Sequence, residues 1–230
     1  MISVITPVLN EEATIAPFLS ALAALEGDWE LILVDGGSVD GTVDRICSLQ
    51  TQFPGPLTLI TAPRGRGSQM NAGADLAAGE ILLFLHADCT IPPDSVNAIE
   101  EACAVSGVAG GGFTQAFPGG DLLVRVICAL GNFRVRVTRN FYGDSGIFVK
   151  KETFRETGGY DQAPFFEDVA LCRKAKERGR LVVLDRVILT SPRRFLEKGS
   201  FRLTFVYSMA ILFHLFGLRP RWLEPTINER

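Results

Sequence analysis

Residues 31–42 read LILVDGGSVDGT. Four apolar residues stop at Asp35, and two glycines, then Asp40 and Gly41, follow. A continuous apolar run is the pattern of a strand covered on both faces, as in a parallel sheet. Glycines let a backbone approach a ligand closely. Asp35 is then the first polar side chain past a buried strand, an acceptor for N–H or O–H groups, with Gly37 beside it. Read alone, the stretch is equally a turn with Asp40 capping the next helix.

The same punctuation recurs on both sides. Residues 2–6 form a β-branched run followed by Pro7, which fixes φ and lacks a donor and so suits a chain leaving a strand. From residue 11 the apolar positions Ile15, Phe18, Leu19 and Leu22 take helical spacing. Residues 30–34 give a second strand, with a helix from the Asp40 cap through about residue 49. Residues 57–61 give a third strand, followed by an alanine-rich helix to about residue 78. Residues 80–85 give a fourth strand. Strands alternating with helices predict an α/β fold, a mostly parallel central sheet with helices on both faces. Such sheets bind ligands outside the carboxyl ends of their strands, where Asn10, Asp35, Arg64, His86 and Asp88 fall. Past residue 106 the alternation weakens, and Gly110–Gly112, Pro118 and Gly119–Gly120 suggest a less regular half. The expected organisation is one domain over 1–196, split near 105, with an apolar helix and tail over 197–230.

Composition limits the partners. The chain has 230 residues, 47% hydrophobic and 21% charged, enough for one substantial core. A net charge of −3 gives nucleic acid no support as the main partner. Five dispersed cysteines with no CxxC pair suggest neither a disulfide framework nor a zinc site, and no signal region opens the sequence. A cytoplasmic setting is the expectation. Residues 203–218, LTFVYSMAILFHLFGL, fall short of the roughly 20 needed to cross a bilayer. Two readings stay open for residues 201–218: a helix buried in the domain or a homodimer, or a surface helix peripheral at the inner face of the membrane.

Four further stretches carry polar chemistry. TPVLNEE (6–12) places Glu11 and Glu12 at a helix start, where acids also simply match the dipole. APRGRGSQMNAG (62–73) brackets glycine with Arg64 and Arg66, a cationic loop suited to diphosphate, and is neither a GxGxxG fingerprint nor a P-loop. LLFLHADC (82–89) ends a buried strand in His86 and Asp88. Alternation there would put both side chains on one side, as ligands for Mg²⁺ or Mn²⁺. FFEDVALCRKAKERG (165–179) sets Glu167 and Asp168 beside two phenylalanines at a helix start. Desolvation there raises a carboxylate's pKa and makes it a better base.

In order and spacing these motifs, with YGDSGIFVKKETFRETGGYD (142–161), resemble the family 2 glycosyltransferases of GT-A fold, from residue 2 to about 194. HAD, RGRG, YGDSGIFV and SPRRF narrow the resemblance to a bacterial subgroup named for arsenosugar biosynthesis or radical-SAM and selenium-linked genes. The resemblance implies a nucleotide site lined by Pro7, Asn10, Glu12, Asp35 and Gly37, with Arg64, Asn71 and Ala87 near the donor. It implies Asp88 as the metal acid, with His86 where the family's first acid stands, and Asp168 as catalytic base. Glu167, Arg193 and Arg194 become leaving-group or acceptor contacts. The implied reaction is inverting transfer from a nucleoside-diphosphate sugar to the hydroxyl of a small molecule or lipid, with Mg²⁺ or Mn²⁺. A sugar nucleotidyltransferase and a non-catalytic nucleotide-binding regulator are the alternatives.

Overall fold

The computed structural model describes residues 1–161 and 166–215, with the backbone alone at several positions from 194 onward. The first half alternates as the sequence predicts: β1 (Ile2–Val8), α1 (Glu12–Leu22), β2 (Trp29–Asp35), α2 (Thr42–Gln50), β3 (Leu57–Thr61), α3 (Arg66–Leu76), β4 (Ile81–Phe84). A short β5 (Cys89–Thr90) and α4 (Ser95–Ala104) follow. The second half is regular too: β6 (Val108–Ala116), α5 (Leu122–Thr138), a 3₁₀ turn over Gly143–Ser145, β7 (Ile147–Lys150) and α6 (Lys151–Glu156). It ends in α7 (Glu167–Lys176), β8 (Arg180–Thr190), α8 (Arg193–Lys198) and α9 (Ser200–Leu215).

The strands form one sheet in the order β3-β2-β1-β4-β7-β6-β8-β5. The β3-β2-β1-β4 half is parallel, as are β6 and β8, while β7 runs antiparallel to both its neighbours. Because β7 reverses between them, β4 and β6 point the same way. The carboxyl ends of β1, β2, β3, β4, β6 and β8 therefore share one edge of the sheet.

Alternate residues of each strand serve opposite faces. Leu31, Leu33 and Leu83 pack with Ile15, Phe18, Leu19 and Leu22 of α1 and with Val96 and Ile99 of α4. Ile32, Val34, Leu82 and Phe84 pack on the other face with Met70 and Ala74 of α3 and with Leu171, Cys172 and Ala175 of α7. Burial on both faces is why these strands read as unbroken apolar runs.

Two expectations need correction. Pro7 does not lead the chain out of a strand; β1 continues to Val8, beyond the β4 ladder that ends at Ile5 and Phe84, so Pro7 lacks a donor where no β4 partner remains. Gly110–Gly112 do not mark an irregular segment but lie inside β6. A β-carbon would come 2.3 Å from the Phe148 carbonyl oxygen at Gly110, 2.1 Å from that of Val182 at Gly111, and 2.4 Å from the Phe141 ring at Gly112. Glycine is required there by close packing, not by a turn. Gly111→Ala is expected to lower unfolding free energy by about 2–3 kcal/mol in urea titrations; a midpoint matching the parent chain would contradict this packing.

Candidate active site

The edge begins with two loops stitched together. Asp35 ends β2, buried, and its carboxylate accepts hydrogen bonds from the Gly37 amide at 2.9 Å and the Ser38 amide at 3.1 Å, as well as from the Ser38 hydroxyl. Gly37 takes φ +89°, open to solvent, which lets the chain fold back over the acid. Asn10, at φ +54°, accepts from the Val39 amide while its own amide donates to Ser38. The Glu12 carboxylate accepts from the Gly41 amide at 3.2 Å, and Asp40 accepts from the amides of Glu12 and Thr42. Asp40 thus bonds the first turn of α2 from one position before its Gly41 cap. Each of these acids builds the loop before it meets any ligand.

A second group gathers past β4. The strand ends at Phe84, and residues 86–89 form a turn closed by the Cys89 amide on the His86 carbonyl at 3.1 Å. The strand alternation expected to put His86 and Asp88 on one side therefore does not apply. His86 is buried with its ring against Gly143, where a β-carbon would come 2.6 Å from Nε2 and 2.9 Å from the Asp168 carboxylate. Ala87 is buried and Asp88 half-buried. Strand register extends from Ile5–Phe84 and Val8–Asp35 to put Asp35 and Ala87 at one level. With β1 between them, they stand about 10 Å apart.

Gly143 reaches this edge because it immediately precedes β7, which runs antiparallel to β4. Its amide donates to Asp168 at 2.9 Å. Next to it Asp144 is pushed up by burial and by the charge of Asp88. The Gln115 side chain, from the end of β6, donates to the Asp144 carbonyl at 3.3 Å and to the Thr190 hydroxyl at 3.1 Å. Asp144, Gln115 and Thr190 were not singled out as site residues. Their signal was YGDSG, whose turn chemistry gives no hint of which strand end it faces.

The acids of α7 close the group. Glu167 and Asp168 are both buried, and Phe166 before them takes φ +63°, a costly conformation for an aromatic residue. Arg66, in the first turn of α3, holds Glu167 at 3.0 Å. This pairing gives the RGRG loop its ordered cation; Arg64 is exposed. Asp168 Oδ1 and Tyr160 Oη are buried without a hydrogen-bond partner among the described residues. Burial, reinforced by the charge of Glu167 and only partly offset by Arg66, pushes Asp168 up to about 8. Burial and then the Asp168 charge push the Tyr160 phenol well above its ordinary range.

Asn71 is not open to the donor: its amide donates to and accepts from the Tyr160 backbone, both at 2.9 Å, fixing the chain that approaches α7. Arg193 crosses to the start of α1 and lies 3.7 Å from the buried Glu11 carboxylate. The side chain of Arg194 and residues 162–165 and 216–218 lie outside the described residues. Past the end of β6, a cavity of about 520 Å³ is lined by Phe117, Pro118, Arg125, Cys128 and Asn132 among others. Among the described residues, no three His, Cys, Asp or Glu side chains are grouped to hold a metal ion. Asp88, one half-buried carboxylate, fits Mg²⁺ or Mn²⁺ as a hard cation that takes its other ligands from phosphate oxygens and water.

A parallel half-sheet with its loops bound into one polar edge is the architecture of a nucleotide-sugar enzyme, and the comparisons agree. Residues 3–155 match glycosyl transferase family 2, and the chain belongs to that family. It is 36% identical over 128 residues to the PGL/p-HBAD biosynthesis glycosyltransferase of Mycobacterium bovis, covering 54% of this chain and 48% of the relative. It is 32% identical over 108 residues to the undecaprenyl-phosphate 4-deoxy-4-formamido-L-arabinose transferase of Aeromonas hydrophila, covering 44% of this chain and 33% of the relative. The match thus spans at most about half the length of these curated relatives. In structure it is similar to the mannosyltransferase PcManGT of Pyrobaculum calidifontis in complex with GDP-Man and Mn²⁺. That match has a TM-score of 0.69 at 23% identity, over 82% of this chain and 56% of the other. Glucosyl-3-phosphoglycerate synthase of Mycobacterium tuberculosis gives a TM-score of 0.60 at 20% identity, over 96% and 81%. The fold is the GT-A fold of such enzymes. No described helix is long and apolar enough to cross a membrane.

The raised Asp168 carboxyl has a consequence for stability. Its folded pKa, about 8, exceeds the unfolded value of about 3.9. The stability it supports is complete below pH 4 and is lost as pH rises toward 8. Asp168→Asn removes that loss, so its stability advantage over the parent should grow by roughly 2–4 kcal/mol between pH 5 and pH 8 in urea unfolding. A constant difference would mean that the carboxylate is solvated.

Proposed function

We propose that this chain is an inverting glycosyltransferase. It would move a sugar from a nucleoside-diphosphate sugar to an acceptor hydroxyl, with Asp168 as general base. The observation that carries the reading is the meeting of Asp168 with Gly143 and His86 on the same sheet edge as Asp35 and Asp88. Relatives and structural neighbours support it: their names include sugar transfer to undecaprenyl phosphate and complexes with GDP-Man or UDP-GlcNAc.

In this reading the stitched loops at Asn10, Glu12, Asp35 and Gly37 form a rigid shelf for the nucleotide. Asp35 retains limited acceptor capacity for a base N–H or ribose hydroxyl. Asp88 would hold Mg²⁺ or Mn²⁺ together with the donor diphosphate, and when bound the cation offsets charge on the departing nucleotide. Arg66 keeps Glu167 charged and paired, which fixes the first turn of α7. Gly143 orients Asp168 through Oδ2, leaving Oδ1 to receive the acceptor proton. A carboxylate with a raised pKa accepts that proton more readily once ionised. The cavity beside Arg125 lies past the end of β6, on the edge facing away from the nucleotide shelf, and is the place for the acceptor. The narrower arsenosugar-linked resemblance rests on HAD, RGRG, YGDSGIFV and SPRRF and says little about that acceptor.

Asp168→Asn should reduce transfer by roughly 10²–10⁴-fold, as loss of a general base does, while calorimetry shows donor binding within about twofold of the parent. Full transfer by this variant would remove Asp168 from the role. Asp88→Asn should abolish the dependence of donor affinity on Mn²⁺; unchanged dependence would place the cation elsewhere. Pyrophosphate release from a nucleoside triphosphate would favour a nucleotidyltransferase instead.

A further inference from the structure

The helix α5 has two apolar faces, and only one is used. Val124 and Val135 are buried against the domain. Leu122, Leu130, Phe133 and Val137 are 63–74% exposed and Val126 47% exposed. At 100° per residue these five fall within an arc of about 80°, opposite the buried valines. A continuous exposed stripe along a 17-residue helix marks an interaction surface rather than scattered surface apolarity. The neighbouring α9, which packs on α5, adds the exposed Phe201 and Phe205.

Charge identifies the occupant. The chain carries 26 acids and a net charge of −3, yet the sequence of α5 holds three arginines and no acid, with Arg139 at its end. The sequence of α9 likewise has Arg202 and no acid. Arg125 and Arg136 are exposed and flank one side of the stripe, while Arg134 on the other stacks 3.9 Å over the Tyr142 ring. A second copy meeting this face by two-fold symmetry would set the same arginine-rich surface against itself. An apolar stripe bordered by arginines instead matches a bilayer with anionic headgroups, apolar groups entering the acyl boundary and cations meeting phosphates.

We infer that the exposed face of α5, extended by Phe201 and Phe205, docks this protein on an anionic lipid surface. Docking sets the start of α5, and with it the cavity beside Arg125, against the bilayer. The inference rests on the stripe and its charges and stands whether or not the chain transfers sugar.

The test is co-sedimentation of the full chain with phosphatidylcholine vesicles, with and without phosphatidylglycerol, at low and high salt. The parent should pellet with the anionic vesicles, at least about fivefold less with neutral ones, and less in high salt. Leu130→Glu/Phe133→Glu changes only exposed positions and should leave the melting temperature unchanged while abolishing pelleting. Arg125→Glu/Arg136→Glu should weaken pelleting through charge alone. Absence of parent binding to either vesicle, or equal pelleting of parent and Leu130→Glu/Phe133→Glu, overturns the inference. So does a dimer that this variant dissociates while vesicles remain unbound.

Discussion

The interaction on which the site depends is the fixing of two buried acids at the first turn of α7. Arg66 neutralises Glu167 from α3, and the Gly143 amide holds one oxygen of Asp168. Without those two partners, adjacent buried carboxylates would repel one another and draw in water. With them, α3, the 143–145 turn and α7 meet at the end of β4. Elements far apart in the chain thereby present their polar groups together. The other oxygen of Asp168 is left without a partner, a costly arrangement that makes chemical sense if it meets a proton.

The sheet explains why such a meeting is available. One antiparallel strand, β7, lets β4 and β6 point the same way, so the two halves of the domain place their loops on a shared edge. Gly110–Gly112 make that join possible, since any side chain there would collide with the backbone of β7 or β8 or with Phe141. The nucleotide shelf is rigid because Asn10, Glu12, Asp35 and Asp40 are already engaged with backbone amides. That rigidity suits a ligand whose orientation must be set before reaction.

Much of this was legible in the sequence because its signals are local. Apolar runs gave β1 to β4, and helical spacing picked out Ile15, Phe18, Leu19 and Leu22, all of which are buried. The polar residues after those runs did mark strand ends, and Glu167 and Asp168 do sit desolvated at a helix start. What the sequence hid is non-local. The glycine run reads as a turn until the strands beside it are known. Asn71 looks like a donor ligand, yet it spends its amide on Tyr160, 89 residues away. Asp144 and Gln115 acquire meaning only once β6 and β7 are placed. The outward stripe on α5 has the same periodicity as a core face, and only its exposure tells them apart.

The most direct test is titration of the Asp168 carboxyl by ¹³C NMR, assigned by difference from Asp168→Asn. A buried base paired to Gly143 and crowded by Glu167 should titrate near 8. A midpoint near the ordinary aspartate value of about 4 would show a solvated acid and contradict the site as described.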